Sequence, residues 1–258
     1  MEVTLLYIWT SLKHLFQERL PISIGSLSHL TSLILSSSKL SGSLPSSIGN
    51  LSYLNTLSLS SNNFAGEIPS SIQNLNRLTY VDVGNNEFTG TLPPNINSLS
   101  NLEYFDASLN FFVGTIPSTL FTIPSLEKIY VYNNQLSGPL EIGNISSMSK
   151  LRELDLSQND LTGPIPSTLF TIPSLETILV NNNQLNGPLK IGNISSVSKL
   201  QELDLSQNIL TGPIPRSISK PNLSTLCILI LLISKPKNHL TLVSFGISSC
   251  SKFFSYLT

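Results

Sequence analysis

Four aspartates recur in one local setting, apolar–Asp–apolar: Asp82, Asp106, Asp155 and Asp204. A row of carboxylates is the raw material of general acid–base catalysis, which needs two such groups facing one reacting bond. These four are separated by 24, 49 and 49 residues, so each belongs to a different turn of the chain. Read that way they are ordinary repeat content. No other catalytic signature accompanies them: there is no G-x-G-x-x-G, G-x-x-x-x-G-K-[ST], G-x-S-x-G, H-E-x-x-H or C-x-x-C. The three histidines, His14, His29 and His239, are scattered, and the two cysteines, Cys227 and Cys250, stand at no characteristic metal or redox spacing. The expectation is a chain that is not an enzyme and carries no metal or cofactor.

A second kind of chemistry is recognition. Tyr80, Tyr104, Tyr130 and Tyr132 are four of seven tyrosines in the chain, and they fall beside Asp82, Asp106 and Lys128. Tyrosine supplies contact area with a polar tip at low entropic cost. It also suits exposed strands in general. Ser and Thr occupy most equivalent positions elsewhere, which tilts the reading toward a partner-binding cluster of these seven residues.

What positions them is a repeat. Residues 123–171 and 172–220 align without a gap and are identical at 36 of 49 positions. Each block is two similar coils, and eight coils open at Leu27, Leu51, Leu75, Leu99, Ile123, Met148, Ile172 and Val197. Apolar residues fall at coil positions 1, 4, 7 and 9, Asn at 12, an apolar residue at 14, Gly at 16, and often Ile-Pro or Leu-Pro at 18 and 19. Strand side chains alternate faces, so 7 and 9 point inward while 6, 8 and 10 point out. One such strand cannot bury its apolar side alone, but stacked neighbours can. The Asn can satisfy backbone groups where the chain turns, forming a ladder through the stack. The Gly permits a turn that a β-carbon obstructs, and the Pro suits an extended convex segment. Phe64, Phe88 and Phe112 share position 14 and read as a core stack.

The pattern resembles the leucine-rich repeat family in its plant-specific form, LxxLxxLxLxxNxLxGxIPxxLxx. The stretch LSYLNTLSLSSNNFAGEIPSSIQN, Leu51 to Asn74, matches it nearly position for position. The resemblance covers about residues 20–220. It implies a right-handed solenoid arc, classed α/β, with a parallel sheet on the concave face and irregular or 3-10 segments on the convex side. It further implies a protein- or peptide-binding module of a plant receptor-like protein in signalling, defence or development, partnered with a ligand and a co-receptor kinase, at the cell surface or outside the cell. The alternatives are an inhibitor of a secreted cell-wall-degrading hydrolase, or a non-functional truncated receptor fragment.

Charged residues make up 11% and the net charge is −1, which implies no basic face and so no nucleic-acid partner. Residues 1–26 read as a degenerate first coil or cap, 27–220 as the eight repeats, and 221–258 as a decayed repeat with a non-repetitive tail. The start, MEVTLLYIWTSLKHLF, has no basic n-region and no small-residue cleavage site, so no signal peptide is expected from it. The apolar run from Leu223 to Ile233 is 11 residues, against about 20 for a bilayer span, so it reads as a strand. Sequons at Asn50, Asn144, Asn193 and Asn222 are candidate glycosylation sites if the chain is exported.

Overall fold

A computed structural model describes residues 19–143, 149–191 and 199–213, together with the backbone of strand Thr225–Cys227. The expected inward and outward alternation governs the fold. Nine three-residue strands, from Ser32–Ile34 to Thr225–Cys227, form one sheet in which every strand pairs in parallel with the next in sequence. Position 7 is always the central rung: Leu33 pairs with Leu57, then Val81, Phe105 and Ile129, then Leu154, Ile178, Leu203 and Leu226. The two 25-residue coils keep this register, so their extra residue is absorbed away from the sheet. The ninth strand continues the row at Leu226, inside the apolar run after residue 220. The first 18 residues, Leu223 and the tail with Cys250 lie outside the described residues, as do Asn144, Asn193 and Asn222.

Inside the arc, one apolar spine runs through all coils. Leu51, Leu54, Leu57, Leu59 and Phe64 of the second coil are completely buried, and equivalent residues repeat this along the stack. Phe64, Phe88 and Phe112 stack as expected, with ring centroids 6.0 and 6.2 Å apart and planes within 12°. Leu20 and Ile24 are also buried and extend the spine ahead of the first full coil.

The asparagine ladder forms, but not by side chain meeting side chain. Asn86 Nδ2 donates to the Leu59, Val83 and Gly84 carbonyls, and its Oδ1 accepts from the Phe64 amide. Asn62 also donates to Leu59 O, and Asn110 also donates to Val83 O. Each position-9 carbonyl between two asparagines is therefore held by the Asn of its own coil and by that of the next. The rungs alternate amide and carbonyl, which satisfies buried backbone groups that the short strands leave unpaired.

The convex side carries 3-10 helices as expected, among them Ser46–Asn50, Ser70–Asn74, Ser118–Thr122 and Ser167–Thr171, each preceded by an extended proline. Gly49 lets two of these turns nest: a β-carbon there would lie 2.5 Å from the Ser71 carbonyl oxygen. Between the concave strands and these turns the structure adds something the repeat reading lacks. A flank of further parallel pairing runs through Ser41–Gly42, Asn63–Gly66 and Glu87–Phe88, then through Val113–Gly114, Gln135–Pro139, Asp160–Gly163, Gln184–Pro188 and Ile209–Thr211. Between the two groups the ladder gives way to an isolated bridge, Thr91 to Val113, and a backbone bond from the Phe111 amide to the Phe88 carbonyl at 2.9 Å. Each position-16 glycine, such as Gly90 at φ +76°, turns the chain out of this flank in the left-handed region.

Candidate functional site

The outward positions of the eight strands from Ser32–Ile34 to Glu202–Asp204 form the concave floor. Strands Tyr80–Asp82, Tyr104–Asp106 and Lys128–Tyr130 are adjacent, so Tyr80 lies opposite Tyr104, Tyr104 opposite Lys128, and Asp82 opposite Asp106, which faces Tyr130. The sequence-predicted residues are thus brought together. Tyr80 and Tyr104 stack at 4.4 Å between centroids and 8° between planes. Tyr130 meets Tyr104 edge-on at 5.6 Å. Tyr132 lies two residues further along the chain than Tyr130.

The carboxylates are fixed from below. Asp106 Oδ1 accepts from the Ser108 amide at 2.9 Å and the Ser108 hydroxyl at 2.6 Å, while Tyr104 donates to Oδ2 at 3.3 Å. Asp82 accepts from the Gly84 amide at 3.1 Å. Gly84 also makes room: a β-carbon on it would lie 3.0 Å from Asp106 Oδ1. Lys128 behaves differently. Its ammonium sits 2.6 Å from Glu153, and Tyr130 donates to the other oxygen of the same carboxylate. The cation expected to contact a partner is therefore neutralised within the arc. Across positions 6, 8 and 10 of the eight coils, Asp82, Asp106, Glu153, Asp155, Glu202 and Asp204 face only Lys128, so the floor is acidic although the chain as a whole is nearly neutral.

Burial pushes the Tyr104 hydroxyl far above the usual phenol range, with the Asp106 charge adding to it. Tyr130 is raised by burial and by its bond to Glu153. Both phenols are neutral donors near pH 7. Asp106 is raised by burial, against the opposing Ser108 hydrogen bonds. Because its folded pKa lies above the unfolded one, proton binding favours the fold, and the carboxylate form costs stability until pH falls through the folded value. Asp106→Asn keeps an acceptor for Ser108 and removes the charge. It is expected to raise Tm at neutral pH, with the advantage shrinking toward acidic pH, measured by calorimetry across that range. A lower Tm at neutral pH would show that the carboxylate's hydrogen bonds outweigh its burial.

A family model described as a leucine-rich repeat region matches residues 18–109, and a second, Leucine Rich Repeat, matches 150–172 and 199–221. The chain belongs to the leucine-rich-repeat family. No curated protein sequence matches it. Among solved structures, the leucine-rich-repeat arc is similar to the plant peptide hormone receptor RGFR1 in complex with RGF2, at 31% identity and a TM-score of 0.73, over 80% of this chain and 32% of that one. It is similar to the Arabidopsis receptor kinase HAESA ectodomain in complex with an IDA peptide hormone, at 30% and 0.71, over 82% and 35%. A Leptospira interrogans leucine-rich-repeat protein, LIC12759, shares 30% at 0.65, over 81% and 51%. The chain spans about a third of the length of the two receptor ectodomains. Their shared architecture is that of plant receptors solved with peptide ligands.

Within the leucine-rich-repeat frame, Glu153, Ser108 and Gly84 hold the site together and are not among its sequence-predicted members. The only sequence signal for them is position: each sits at an outward position, 6 or 10, next to a predicted residue. On the other edge of the strands, position 3 makes its own column, His29 stacked on Tyr53 at 5.3 Å and Arg77 over the same ring at 4.3 Å. Asn50 is exposed at the end of its 3-10 turn, away from the concave floor.

Proposed function

We propose that this chain is a non-enzymatic recognition module of a plant receptor, binding an extended peptide or protein segment across the concave face at the cell surface and passing the event to a kinase partner. The observation that carries the reading is Tyr104, stacked on Tyr80 and met by Tyr130, beside a carboxylate that no cation pairs among the described residues. The backbone beneath is already ordered, so binding costs little conformational entropy there. Likeness to receptor ectodomains solved with peptide hormones supports the same reading. Among the described residues no helix is long and apolar enough to cross a membrane.

The test replaces Tyr104→Thr together with Tyr130→Ser, residue types that other coils carry at those positions, as at Thr56 and Ser58. Affinity for dodecapeptides selected on the parent chain is expected to fall ten-fold or more, and Tm to move by no more than about 2–4 °C, equivalent to about 1 kcal/mol. Unchanged affinity would remove the cluster from the binding surface. For export, Asn50, Asn144, Asn193 and Asn222 are the proposed glycan acceptors. Protein secreted from plant cells is expected to lose mass on treatment with a peptide N-glycosidase, and no loss would exclude all four.

A further inference from the structure

The fourth coil, which opens at Leu99, departs from its neighbours where the chain leaves the concave sheet. Its positions 11, 13 and 15 are Leu109, Phe111 and Val113, and all three are exposed, at 36%, 49% and 41%. Position 11 is Ser, Asn or Gln in each of the other seven coils, and position 13 is polar in six of them. Three of the seven exposed large apolar side chains among the described residues thus fall within five residues of chain.

Leu109 is also held at φ +53°, in the left-handed region that Asn adopts more readily than Leu. Of the position-11 residues in that region, Leu109 alone is apolar. Strain retained at an exposed apolar residue is a reason to look for a function there. The strand ladder of the flank is interrupted at this same coil, where the Phe111 amide still donates to the Phe88 carbonyl at 2.9 Å and Thr91 bridges Val113. The patch adjoins the tyrosine cluster: the Leu109 amide donates to the Tyr132 carbonyl at 2.9 Å, and Asp106 lies three residues before Leu109.

Charge complementarity says what covers it. The floor carries six carboxylates, Asp82 and Asp106 nearest the patch, against one ammonium that is taken by Glu153, so a cationic ligand is favoured there over an anionic one. We propose that the ligand is an extended peptide with one basic side chain seated over Asp82, Asp106 and the Tyr80–Tyr104 stack, and a nearby apolar side chain turned over the edge onto Leu109, Phe111 and Val113. A cation above stacked phenols flanked by carboxylates draws on both cation–π and ion-pair attraction. The apolar anchor supplies what charge alone does not, since rim charges set orientation and rate more than affinity. This rests on the concave face being the binding surface.

The experiment selects a random synthetic dodecapeptide library on the parent chain and measures the enriched peptides by fluorescence polarisation. Enriched sequences are expected to be net basic and to carry an aromatic or large aliphatic residue at a fixed distance from a Lys or Arg. Leu109→Asn with Phe111→Gln borrows the residues of the next coil, Asn133 and Gln135, so the variant keeps a repeat-compatible flank. Its affinity for those peptides is expected to drop at least ten-fold while Tm stays level or rises, because Asn tolerates the left-handed turn. Acidic enriched peptides, no enrichment, or full affinity in the flank variant each overturn the inference. If Tyr104→Thr with Tyr130→Ser abolishes binding and the flank variant does not, the flank assignment fails and the concave-face reading stands. If neither variant loses affinity, both fall.

Discussion

Asn86→Ala is expected to destabilise the chain by about 3 kcal/mol or more, a large share of the stability of any domain. The cost comes from what is left behind. Asn86 is buried, and its Oδ1 is the acceptor for the Phe64 amide, which sits in the completely buried part of the second coil. Alanine leaves that N–H without its partner, and an unpaired buried donor costs about 1–3 kcal/mol by itself. The Gly84 carbonyl loses its bond from Asn86, and Leu59 O and Val83 O each drop from two asparagine donors to one. Those losses add about 1 kcal/mol apiece at the usual net value. Urea denaturation should show a lower midpoint with the same slope, since the area exposed on unfolding hardly changes. Hydrogen exchange should place the damage in the coils from Leu51 to Leu99, because each coil touches only its neighbours. A loss below about 0.5 kcal/mol would mean that the ladder is incidental to the stack.

Phe88→Ala is expected to cost about 3–5 kcal/mol, the range for emptying a large aromatic from a core. Phe88 is completely buried and is the middle ring of three, so its removal breaks both aromatic contacts at once. Each such pair contributes about 0.5–1.5 kcal/mol beyond area burial. The site has little means to collapse, because the flanking rings belong to coils whose spacing is set by backbone pairing on the concave sheet. Phe88→Leu, which keeps most of the volume, should recover more than half of the loss, and denaturation of the three proteins side by side checks this. Equal stability of the Ala and Leu variants would show that the rings do not set the spacing of these coils.

Both predictions concern residues whose roles are legible in the repeat pattern. A phenylalanine at position 14 of three successive coils, or an asparagine at position 12 of seven, has one environment repeated, so the pattern reveals it. The site is legible only in part. Tyr80, Tyr104, Tyr130, Asp82 and Asp106 come to one floor by register alone, since strand alternation decides which side chains face out. Lys128 obeys the same rule and still differs in role, because Glu153 on the next strand takes its charge. That pairing depends on side-chain reach between coils, which position numbers do not encode. The run Leu109, Phe111 and Val113 is visible as letters, but it is the exposure of these side chains in the fourth coil that gives it meaning.

By itself the sequence determined the coil, its period, the inward leucines, the asparagine and phenylalanine columns, and the sheet that results, because each coil repeats the same local and nearest-neighbour contacts. Only the tertiary structure decided how the asparagines are shared between coils through position-9 carbonyls, and where the flank of paired strands forms and breaks. It also decided which outward charges remain unpaired. Those outcomes depend on atoms of adjacent coils, more than 20 residues apart in the chain, coming within hydrogen-bond or ion-pair distance. That distance is a property of the stack and not of any one repeat.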